Sequence, residues 1–560
     1  MPPRWILVLL VVLALGMRFA SSARMLPQNR EPDAFEVYEM QRVQHDPALV
    51  KGVNFQERYP WLLAWTLAGL PAAHPPQELT AADAEAQHLA TAARPFLRVR
   101  LAVGLLATLQ VLLTFFLARR FLPEKQALVA VFLVATSLLQ LLFSTEARPH
   151  GAHAGIALLA LIAALQLAEG FGWARLALAV VSSAAAIATL QLGLSTLPPL
   201  FLACLLLPGR GWKLRIPLAL LAPLAAVLLA RPWYTSPLSV DGQGIHLASQ
   251  EGGGHTLVFR VMDFLGSWRG AQMLFEHDPA LALLAGGGLV LALFGMRAAW
   301  RAASVPTRRA LAVAAAFALP YTLVITIQGE VYERFLMPLI PFLAILGALC
   351  AGWLWKLRPA RVVVLAALGF AALSALQFVR LARAPDAYEQ TAAWIRANVD
   401  AQAKVVLFPD DSLPLLYSRE AVDAQMQELA SRNAPWVTYQ ATIAALPAGT
   451  KTWNVRCVPR ALMLPGKTPS EAELRTWLSD ERVDYLVVEY SRHKWNLPTL
   501  PALERAASGI GELVFRSRGA APDALEEGSM EYQSIRHFAL RQLQQGALGP
   551  ELRVWKLTRR

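Results

Sequence analysis

Long apolar runs recur along the first two thirds of the chain and are separated by short polar segments. A helix that spans a bilayer needs about 20 mainly apolar residues. By this criterion the pattern predicts eleven transmembrane helices, and Pro198 and Pro199 predict a broken helix within the sixth. The eleven runs are approximately 5–20, 96–118, 126–143, 153–169, 174–190, 194–207, 213–230, 280–297, 310–327, 335–356 and 360–380.

The first run has a second interpretation as a cleaved signal peptide. Arg4 precedes its apolar core, and small residues follow it from Ala20 to Ala23. A basic start, an apolar core and small residues at the end are the marks of a secretory signal. Cleavage there would leave the other ten predicted helices, and the sides of the membrane assigned to the loops, unchanged.

The pattern changes after Arg380, where short amphipathic and apolar segments alternate. Residues 386–398 predict an amphipathic helix, and Ser470 with Glu473 predicts a capping box that opens a second helix ending near Ser479. Four segments predict strands: 404–411, 483–490, 511–517 and 551–557. Alternating strands and helices indicate a small α/β domain. Asp410 and Asp411 follow a predicted strand, a position favoured for ligand sites, but a solvated turn is the preferred interpretation.

The expected fold class is therefore a polytopic α-helical membrane protein with about eleven transmembrane helices and a C-terminal soluble α/β domain. The membrane domain covers 1–380, with long loops at 21–95 and 231–279, and the soluble domain covers 381–560. Composition agrees, since 55% of the residues are hydrophobic and only 16% are charged, against about 25% charged in soluble domains. An ordinary soluble enzyme, a disordered protein and a disulfide scaffold are excluded, the last because there are only three cysteines.

The net charge of +12 fits a nucleic-acid-binding protein only until its distribution is considered. With the N-terminus in the cytoplasm, the inner connections hold 15 basic and two acidic residues. Loop 21–95 holds six basic and nine acidic residues, and the tail has a net charge of +1. This asymmetry predicts an inner (plasma) membrane protein with a cytoplasmic N-terminus and an extracytoplasmic C-terminal domain. The expected partners of the basic residues are anionic membrane lipids, and no nucleic acid.

The polar clusters lie at the predicted outer ends of helices, not at the helix centres where transporters place ionisable residues. This favours chemistry at the outer membrane surface. Asp33, Glu36 and Glu39 follow the first helix and offer a general base, with a solvated acidic loop as the alternative. Arg58 and Tyr59 then open a short apolar segment, rich in tryptophan, that suits a helix lying in the interface.

Two further clusters offer cations. Glu146, Arg148, His150 and His153 end the third helix, and an arginine there can hold a phosphate bidentately. The spacing of Glu146, His150 and His153 leaves a divalent metal site as an alternative, although Pro149 and Gly151 are expected to interrupt the helix it needs.

The last cluster and the second long loop complete the candidate site. Tyr332 and Arg334 stand at the entry of the tenth helix, after Glu330. The loop 231–279 adds Trp233 and Tyr234, and we interpret it as a mobile cover or an acceptor-binding element, with a plain connector as the alternative.

The clusters together resemble the polytopic GT-C-fold glycosyltransferases that use polyprenyl-phosphate or dolichyl-phosphate sugars, in particular the protein mannosyltransferase and aminoarabinose transferase branch. In that family an acidic motif follows helix one, a YP-containing interfacial helix comes next, an EARP-like motif ends helix three, and an R-[YF]-L-x-P-x-x-P motif comes late. The corresponding segments here are EPDAFEVYE (31–39), RYPWLLAW (58–65), STEARPHG (144–151) and ERFLMPLIP (333–341). The resemblance covers roughly residues 1–380.

The resemblance implies that one sugar moves, with inversion, from a polyprenyl-phosphate donor to a lipid, glycan or protein acceptor in the cell envelope. It implies Asp33 as the general base, with Glu36 or Glu39 as the second carboxylate, because Ala34 stands where the family often has an acid. The donor phosphate would be held by Arg58, Arg148, His150 and Arg334. Substrate contacts would come from Tyr59, Glu146, Tyr332, Trp233 and Tyr234. No cofactor is firmly implied, and no metal is assigned.

Three alternatives remain open at this point. A flippase or transporter of a lipid-linked glycan would need a polar path through the bundle, for which the helices offer few residues. A non-catalytic membrane scaffold would tolerate the loss of Asp33 and Arg148 together. A divergent, inactive relative would explain the departure at Ala34.

Overall fold

The computed structural model is predominantly helical, with one five-stranded sheet and one two-stranded sheet among the residues it describes. The described residues are 4–26, 37, 40, 60, 62–69, 79–233, 239–241, 244–246, 264–327, 331–409, 413–428, 435–443, 445–459, 462, 469–490, 499–520 and 538–558. The chain divides into two compact units. The first comprises the described residues within Met1–Ser22, Asp33–Pro71 and Arg98–Leu376, and the second those within Ala23–Pro32, Ala72–Leu97 and Gln377–Arg560.

The first unit is a helical bundle. Its helices are α1 (Trp5–Ser21), α2 (Leu62–Ala68), α3 (Ala84–Ala118, whose first part belongs to the second unit), α4 (Glu124–Thr136), α5 (Leu138–Ser144), α6 (Pro149–Glu169), α7 (Trp173–Thr189), α8 (Leu197–Leu205), α9 (Trp212–Ala230), α10 (Gly266–His277), α11 (Pro279–Ala302), α12 (Val305–Ile327), α13 (Ile340–Leu354) and α14 (Ala360–Arg383, whose last part belongs to the second unit). Short 3-10 helices occupy Gln191–Thr196, Arg231–Trp233 and Glu333–Leu339, and strands β1 (Ser239–Asp241) and β2 (Gly244–His246) form an antiparallel pair.

Six of these helices, or seven if the bent pair α4 and α5 forms one span, are long and apolar enough to cross a membrane. Four shorter apolar helical segments begin at Trp5, Trp173, Gln191 and Pro279. Each of the eleven predicted runs therefore coincides with helix, while the number of spans stays a prediction. In the sixth run a 3-10 helix gives way to α8 at Leu197, directly before the two prolines.

Burial separates the inner helices of the bundle from the outer ones. All but four residues of α6 are buried, whereas α9 and α14 expose many leucines and valines, among them Leu220 at 60% and Val362 at 69%. Exposed apolar side chains on such helices are suited to lipid, because lipid tails are as apolar as leucine. The apolar composition noted in the sequence is thus divided between a packed interior and a lipid-facing surface.

The second unit is built on a mixed sheet of five strands in the order β4-β3-β5-β7-β6. The strands are β3 (Lys404–Phe408), β4 (Asn454–Cys457), β5 (Tyr485–Glu489), β6 (Gly511–Arg516) and β7 (Leu552–Leu557). β3 pairs in parallel with β4 and β5, and β7 pairs antiparallel with β5 and β6. The four predicted strands coincide with β3, β5, β6 and β7, while β4 was not predicted.

Both faces of this sheet are covered. Val405 and Leu407 of β3 join one apolar core with Ile395 of α15 (Ala387–Asn398), whereas Val406 and Phe408 join a second core on the other face. The second core includes residues of α18 (Glu471–Asp480) and α19 (Leu500–Ile510). The remaining helices are α16 (Arg419–Glu428), α17 (Pro435–Ala441) and α20 (Phe538–Arg541).

Capping boxes begin two of these helices, and the sequence predicts the one at Ser470. Ser470 caps α18 by accepting from the Glu473 backbone, and Glu473 reaches back to the Ser470 backbone. The same exchange between Asp386 and Glu389 begins α15. Such reciprocal bonds satisfy backbone donors that the first helical turn leaves without a partner.

The second unit also takes in a part of the long loop 21–95. The start of α3 packs in the first of the two cores through Ala84 and Ala92, and Glu85 binds Arg396 of α15 with a nitrogen–oxygen distance of 2.8 Å. Loop 21–95 and the tail were predicted on the same side of the membrane. Their shared core is compatible with that topology, which remains a prediction.

Candidate functional site

The third predicted cluster lies in the turn between α5 and α6. Arg148 is the N-cap residue of α6 and has an extended backbone, as expected for a residue before proline. Pro149 occupies the first helical position, where its missing N–H costs nothing. Glu146, Arg148 and His150 are 3%, 1% and 3% exposed. The turn therefore buries three ionisable side chains at the end of an apolar helix.

Glu146 and Arg148 form an ion pair, with 3.5 Å between Arg148 Nε and Glu146 Oε2. Burying an isolated guanidinium is costly unless an anion lies beside it. The carboxylate of Glu146 meets that need and restricts the orientation of the guanidinium. Glu146 is thus placed to position Arg148 as well as to meet a substrate.

The fourth predicted cluster forms the 3-10 helix Glu333–Leu339 and the residue before it. Arg334 is 2% exposed, and its guanidinium carbon lies 4.3 Å from the centre of the Tyr332 ring. It also lies 5.6 Å from the centre of the Phe335 ring. A cation over aromatic faces is held by the negative face of each ring. Tyr332 is 8% exposed, so the ring that orients Arg334 is itself buried in the bundle.

The structure brings the third and fourth clusters together. The rings of His150 and Phe335 lie 6.2 Å apart with an angle of 33° between their planes. Tyr321 of α12 fixes the same segment by donating its hydroxyl proton to the Phe335 carbonyl at 2.9 Å. Two arginine-bearing segments that are about 190 residues apart in the sequence are therefore in contact, and we call their buried ionisable and aromatic residues the arginine site: Glu146, Arg148, His150, Tyr332 and Arg334.

The remaining predicted site residues are described only in part. Asp33, Glu36, Glu39, Arg58, Tyr59 and Tyr234 lie outside the described residues. Val37 of the acidic motif and Met40 directly after it are described, and both are buried. Trp233 ends the 3-10 helix Arg231–Trp233 and makes an edge contact with Trp65 of α2, with ring centres 6.2 Å apart. The long loop 231–279 and the segment after Arg58 are thereby in contact.

Among the described residues, no three His, Cys, Asp or Glu side chains are grouped so that they could hold a metal ion. Glu146 precedes α6, while His150 and His153 lie within it, so the three do not share one helix. The expectation that Gly151 interrupts this helix is wrong, because α6 runs unbroken from Pro149. Gly151 instead permits close packing, since an added Cβ would lie 2.9 Å from Val103 and 3.1 Å from the Ser144 Cα.

A polar network that was not predicted from the sequence joins α5 to the 3-10 helix Glu333–Leu339. Gln140 of α5 donates to Gln110 Oε1 at 2.6 Å and to the Met337 carbonyl at 3.2 Å, and Gln110 donates to the same carbonyl at 2.9 Å. Asp278, at the junction of α10 and α11, accepts from Ser137 and from the start of α5. A glutamine inside an apolar run was the available signal, because polar side chains at membrane depth are expensive and usually functional.

Two further buried arginines were also missed. Arg18 of α1 is 0% exposed and donates to the Ala14 carbonyl at 3.0 Å. Arg100 of α3 is 1% exposed and donates to the Ser22 carbonyl at 2.9 Å. Both interrupt apolar runs, which was the signal available in the sequence. They add buried positive charge to the helices that precede and follow the acidic motif.

Chemically, the arginine site is suited to an anion whose charge grows during a reaction. Buried guanidinium groups keep their charge and present a planar set of donors that matches phosphate oxygens. In a site shielded from water, such groups stabilise negative charge more strongly than they do in water. An aromatic ring and an imidazole beside them offer a surface and a proton donor for the rest of a ligand.

No protein-family model and no curated protein matches the chain. Similar solved structures include ArnT from Cupriavidus metallidurans bound to undecaprenyl phosphate, at 14% identity and a TM-score of 0.45, covering 92% of this chain and 97% of that one. The oligosaccharyltransferase of Archaeoglobus fulgidus is similar at 13% identity and a TM-score of 0.45, with 93% and 74% covered.

The arabinofuranosyltransferase AftD from Mycobacteria is similar at 15% identity and a TM-score of 0.33, with 100% of this chain and 41% of that chain covered. These three proteins are glycosyltransferases of the GT-C fold. The chain therefore resembles, among solved structures as in its four sequence motifs, the GT-C-fold glycosyltransferases.

Proposed function

We propose that this protein is a multi-pass membrane glycosyltransferase that moves one sugar from a polyprenyl-phosphate donor to an acceptor on the extracytoplasmic side. The observation that supports the proposal is the contact between His150 and Phe335, which joins the buried motif that carries Arg148 to the buried motif that carries Arg334. A bundle with a lipid-facing surface and a buried anion site suits a substrate that has a lipid part and a phosphate.

The proposed reaction has one displacement step. The carboxylate of Asp33 takes the proton of the acceptor hydroxyl, and the acceptor oxygen forms a bond to the anomeric carbon. The bond from that carbon to the phosphate oxygen breaks on the opposite face, and the electron pair leaves with the lipid phosphate. Attack and departure on opposite faces invert the anomeric configuration.

The arginine site contributes most at the transition state. A phosphodiester carries one negative charge, and the lipid monophosphate that leaves develops a second. Arg148 and Arg334, with Arg58, therefore bind the transition state more tightly than the donor, which is the condition for faster chemistry. His150 would donate a hydrogen bond or proton to the leaving phosphate. Because a lipid monophosphate leaves with less total charge than a nucleotide diphosphate, cationic side chains suffice where a diphosphate leaving group commonly needs a metal ion.

The remaining proposed roles concern the substrates. Glu146 holds Arg148 in place and borders the sugar, and Tyr332 and Tyr59 border the donor. Trp233 and Tyr234, in the loop 231–279, border the acceptor. The contact between Trp233 and Trp65 supports this assignment, since it joins that loop to the segment after Arg58. Glu36 or Glu39 supplies the second carboxylate beside Asp33.

The experiment that tests the function is a mass comparison of envelope glycolipids and glycoproteins from cells with and without this chain. A difference of one sugar on one species would identify acceptor and sugar together. Cells that carry Asp33→Asn form the third arm, since this variant removes the base but keeps the size of the side chain. We expect loss of the modified species with normal amounts of inserted protein, and full modification by this variant would refute the base assignment.

The mass comparison and two further measurements distinguish the proposed function from its alternatives. Movement of a labelled glycolipid across the membrane without a new glycosidic bond would establish a flippase or transporter. Identical masses in all arms, together with normal growth of an Asp33→Asn and Arg148→Ala double variant, would support a non-catalytic scaffold.

A further inference from the structure

A bend divides the third apolar run at Ser137. The axes of α4 and α5 differ by 51°, and Ser137 between them has an extended backbone with ψ of 123°. A bend of this kind starts a new helix, whose first N–H groups have no partner within it. These groups belong to Leu138, Leu139 and Gln140. In the interior of a bundle they need acceptors from elsewhere.

Asp278, which is 140 residues from Leu138 in the sequence, supplies the acceptors for two of these three N–H groups. Its Oδ1 accepts from the Leu138 N–H at 2.7 Å, and its Oδ2 accepts from the Leu139 N–H at 3.2 Å and from the Ser137 hydroxyl at 2.7 Å. The Ser137 oxygen in turn accepts from the Gln140 N–H at 3.2 Å. Asp278 is 7% exposed, so one buried carboxylate caps a helix to which it does not belong.

The other end of α5 leads directly into the arginine site. α5 has seven residues and ends at Ser144, two residues before Glu146 and four before Arg148. Midway along it, Gln140 binds the carbonyl of Met337, in the 3-10 helix that carries Arg334. A helix this short is not stable by itself in water. Its position therefore depends on Asp278 at one end and on Gln140 in the middle.

We propose that Asp278 is a positioning residue, which sets the place of α5 and through it the relative placement of Arg148 and Arg334. This inference rests on the proposed function, because it assigns to Asp278 a role in the same reaction. Asp278 acts only through α5 and touches neither substrate. Misplacement of catalytic groups by about 1 Å, caused by a distant substitution, can cost about 100-fold in rate.

Asp278→Asn is the direct test. It keeps the shape of the side chain but replaces one acceptor oxygen with an NH₂ group that faces a donor. We expect kcat per folded molecule to fall by about 10- to 100-fold, with little change in the KM for the lipid-linked donor. The assay uses the full chain in lipid nanodiscs, with the donor and acceptor that the mass comparison identifies. An unchanged kcat per folded molecule, even with less folded protein, would mean a purely structural role and overturn the proposal.

Thr136→Val is the matched control. Thr136 is also buried and precedes Ser137, but its hydroxyl donates to the Phe132 carbonyl within α4. We expect this variant to keep the kcat of the wild type. An equal loss in Thr136→Val would show that any polar change at the bend disturbs the reaction, which would overturn the specific role of Asp278.

Ser137→Ala offers a milder change in case Asp278→Asn folds poorly. It removes the Ser137 hydroxyl, which donates to Asp278 and accepts from the Gln140 N–H, but it leaves the backbone bonds of Leu138 and Leu139 to Asp278. A second comparison adds Arg148→Ala. If Asp278 acts through Arg148, the double variant with Asp278→Asn loses little more than Arg148→Ala alone, since coupled residues are not additive. Fully additive losses would contradict the proposal.

Hydrogen exchange measures the positioning without any sugar transfer. We expect amides within 138–148 to exchange faster in Asp278→Asn and Ser137→Ala and at the wild-type rate in Thr136→Val. If the wild type transfers no sugar, the proposed function fails, and exchange alone decides whether Asp278 holds α5. Unchanged exchange within 138–148 would overturn the proposal in either case.

Discussion

Arg148 shows what a single residue contributes and what it needs. Its guanidinium is 1% exposed, which makes it a strong anion ligand and an expensive group to bury. Glu146 at 3.5 Å limits this cost and fixes the orientation of the side chain. Residue types at this turn were predictable, because arginine is the residue suited to bidentate contact with phosphate. The ion pair was not predictable, because the spacing of the two residues does not show that the turn folds Glu146 back onto Arg148.

For Arg148→Ala we expect weaker binding of a lipid phosphate and a loss of transfer. Losing a charge-assisted hydrogen bond typically costs about 1.5–3 kcal/mol, roughly 10- to 150-fold in affinity. The measurement is the affinity of the purified protein for undecaprenyl phosphate in nanodiscs. Arg175→Ala, which removes an exposed cation bonded to the Gly170 carbonyl, is the control and should bind normally. Equal affinity of wild type and Arg148→Ala would reject the phosphate role.

A second residue-scale prediction concerns Glu481 in the second unit, whose carboxylate accepts from Lys404 Nζ. This hydrogen bond holds the pKa of Glu481 below its usual value. A carboxylate with a depressed folded-state pKa stabilises the fold above the unfolded pKa and loses that contribution as pH falls through the folded pKa.

Glu481→Gln should therefore lower the thermal midpoint at pH 7 and make no difference well below about pH 4. The loss is about 0.2–1 kcal/mol, as is typical of exposed ion pairs. Scans of both proteins from pH 3 to 7 measure it. A gap that widens as the pH falls would contradict this account.

At the scale of elements, hydropathy located the helices because each long apolar run coincides with helix. It did not locate the bend at Ser137, because the run is apolar on both sides of the bend and the capping carboxylate lies 140 residues away. Asp278 stands directly before Pro279, where an aspartate is expected to cap its own helix, α11. Nothing in the sequence therefore indicates that its carboxylate binds α5. The helix α3 also begins at Ala84 rather than near 96. Its first residues are polar and become helical through packing in the second unit, which hydropathy does not measure.

Close helix contacts depend on specific glycines. On α11, a Cβ at Gly288 would lie 1.9 Å from the Leu346 carbonyl oxygen of α13, whereas a Cβ at Gly286 meets nothing within 4 Å. We expect Gly288→Ala to lower the thermal midpoint, since overpacking costs about 1–3 kcal/mol and backbone cannot move aside easily. Gly286→Ala is the matched control and should be neutral or slightly stabilising. Similar midpoints for the two variants in the same detergent would show that α11 and α13 do not pack this closely.

At the scale of the whole molecule, the charge pattern predicts the sides of the membrane. Ser304, between α11 and α12, is predicted to be cytoplasmic, and Asp400, after α15, to be extracytoplasmic. Both are exposed. In a chain with Cys457→Ser, which removes the half-buried cysteine, Asp400→Cys should react with a membrane-impermeant maleimide in intact cells. Ser304→Cys should react only after permeabilisation, and the reverse pattern would invert the topology and remove the arginine site from the outer side.

The packing of Glu85 against Arg396 has a consequence for how the protein is made. The two residues are 311 positions apart, so a ribosome that adds about 5–20 residues per second needs roughly 15–60 s to produce the second after the first. During that interval Ala84 and Ala92 have been synthesised, but their partners in the core, such as Ile395, do not yet exist. The nascent chain therefore carries the first turns of α3 with Ala84 and Ala92 uncovered while the rest of the bundle is still being inserted. We expect this interval, rather than the insertion of any one helix, to be the stage of biogenesis at which the chain most needs a chaperone.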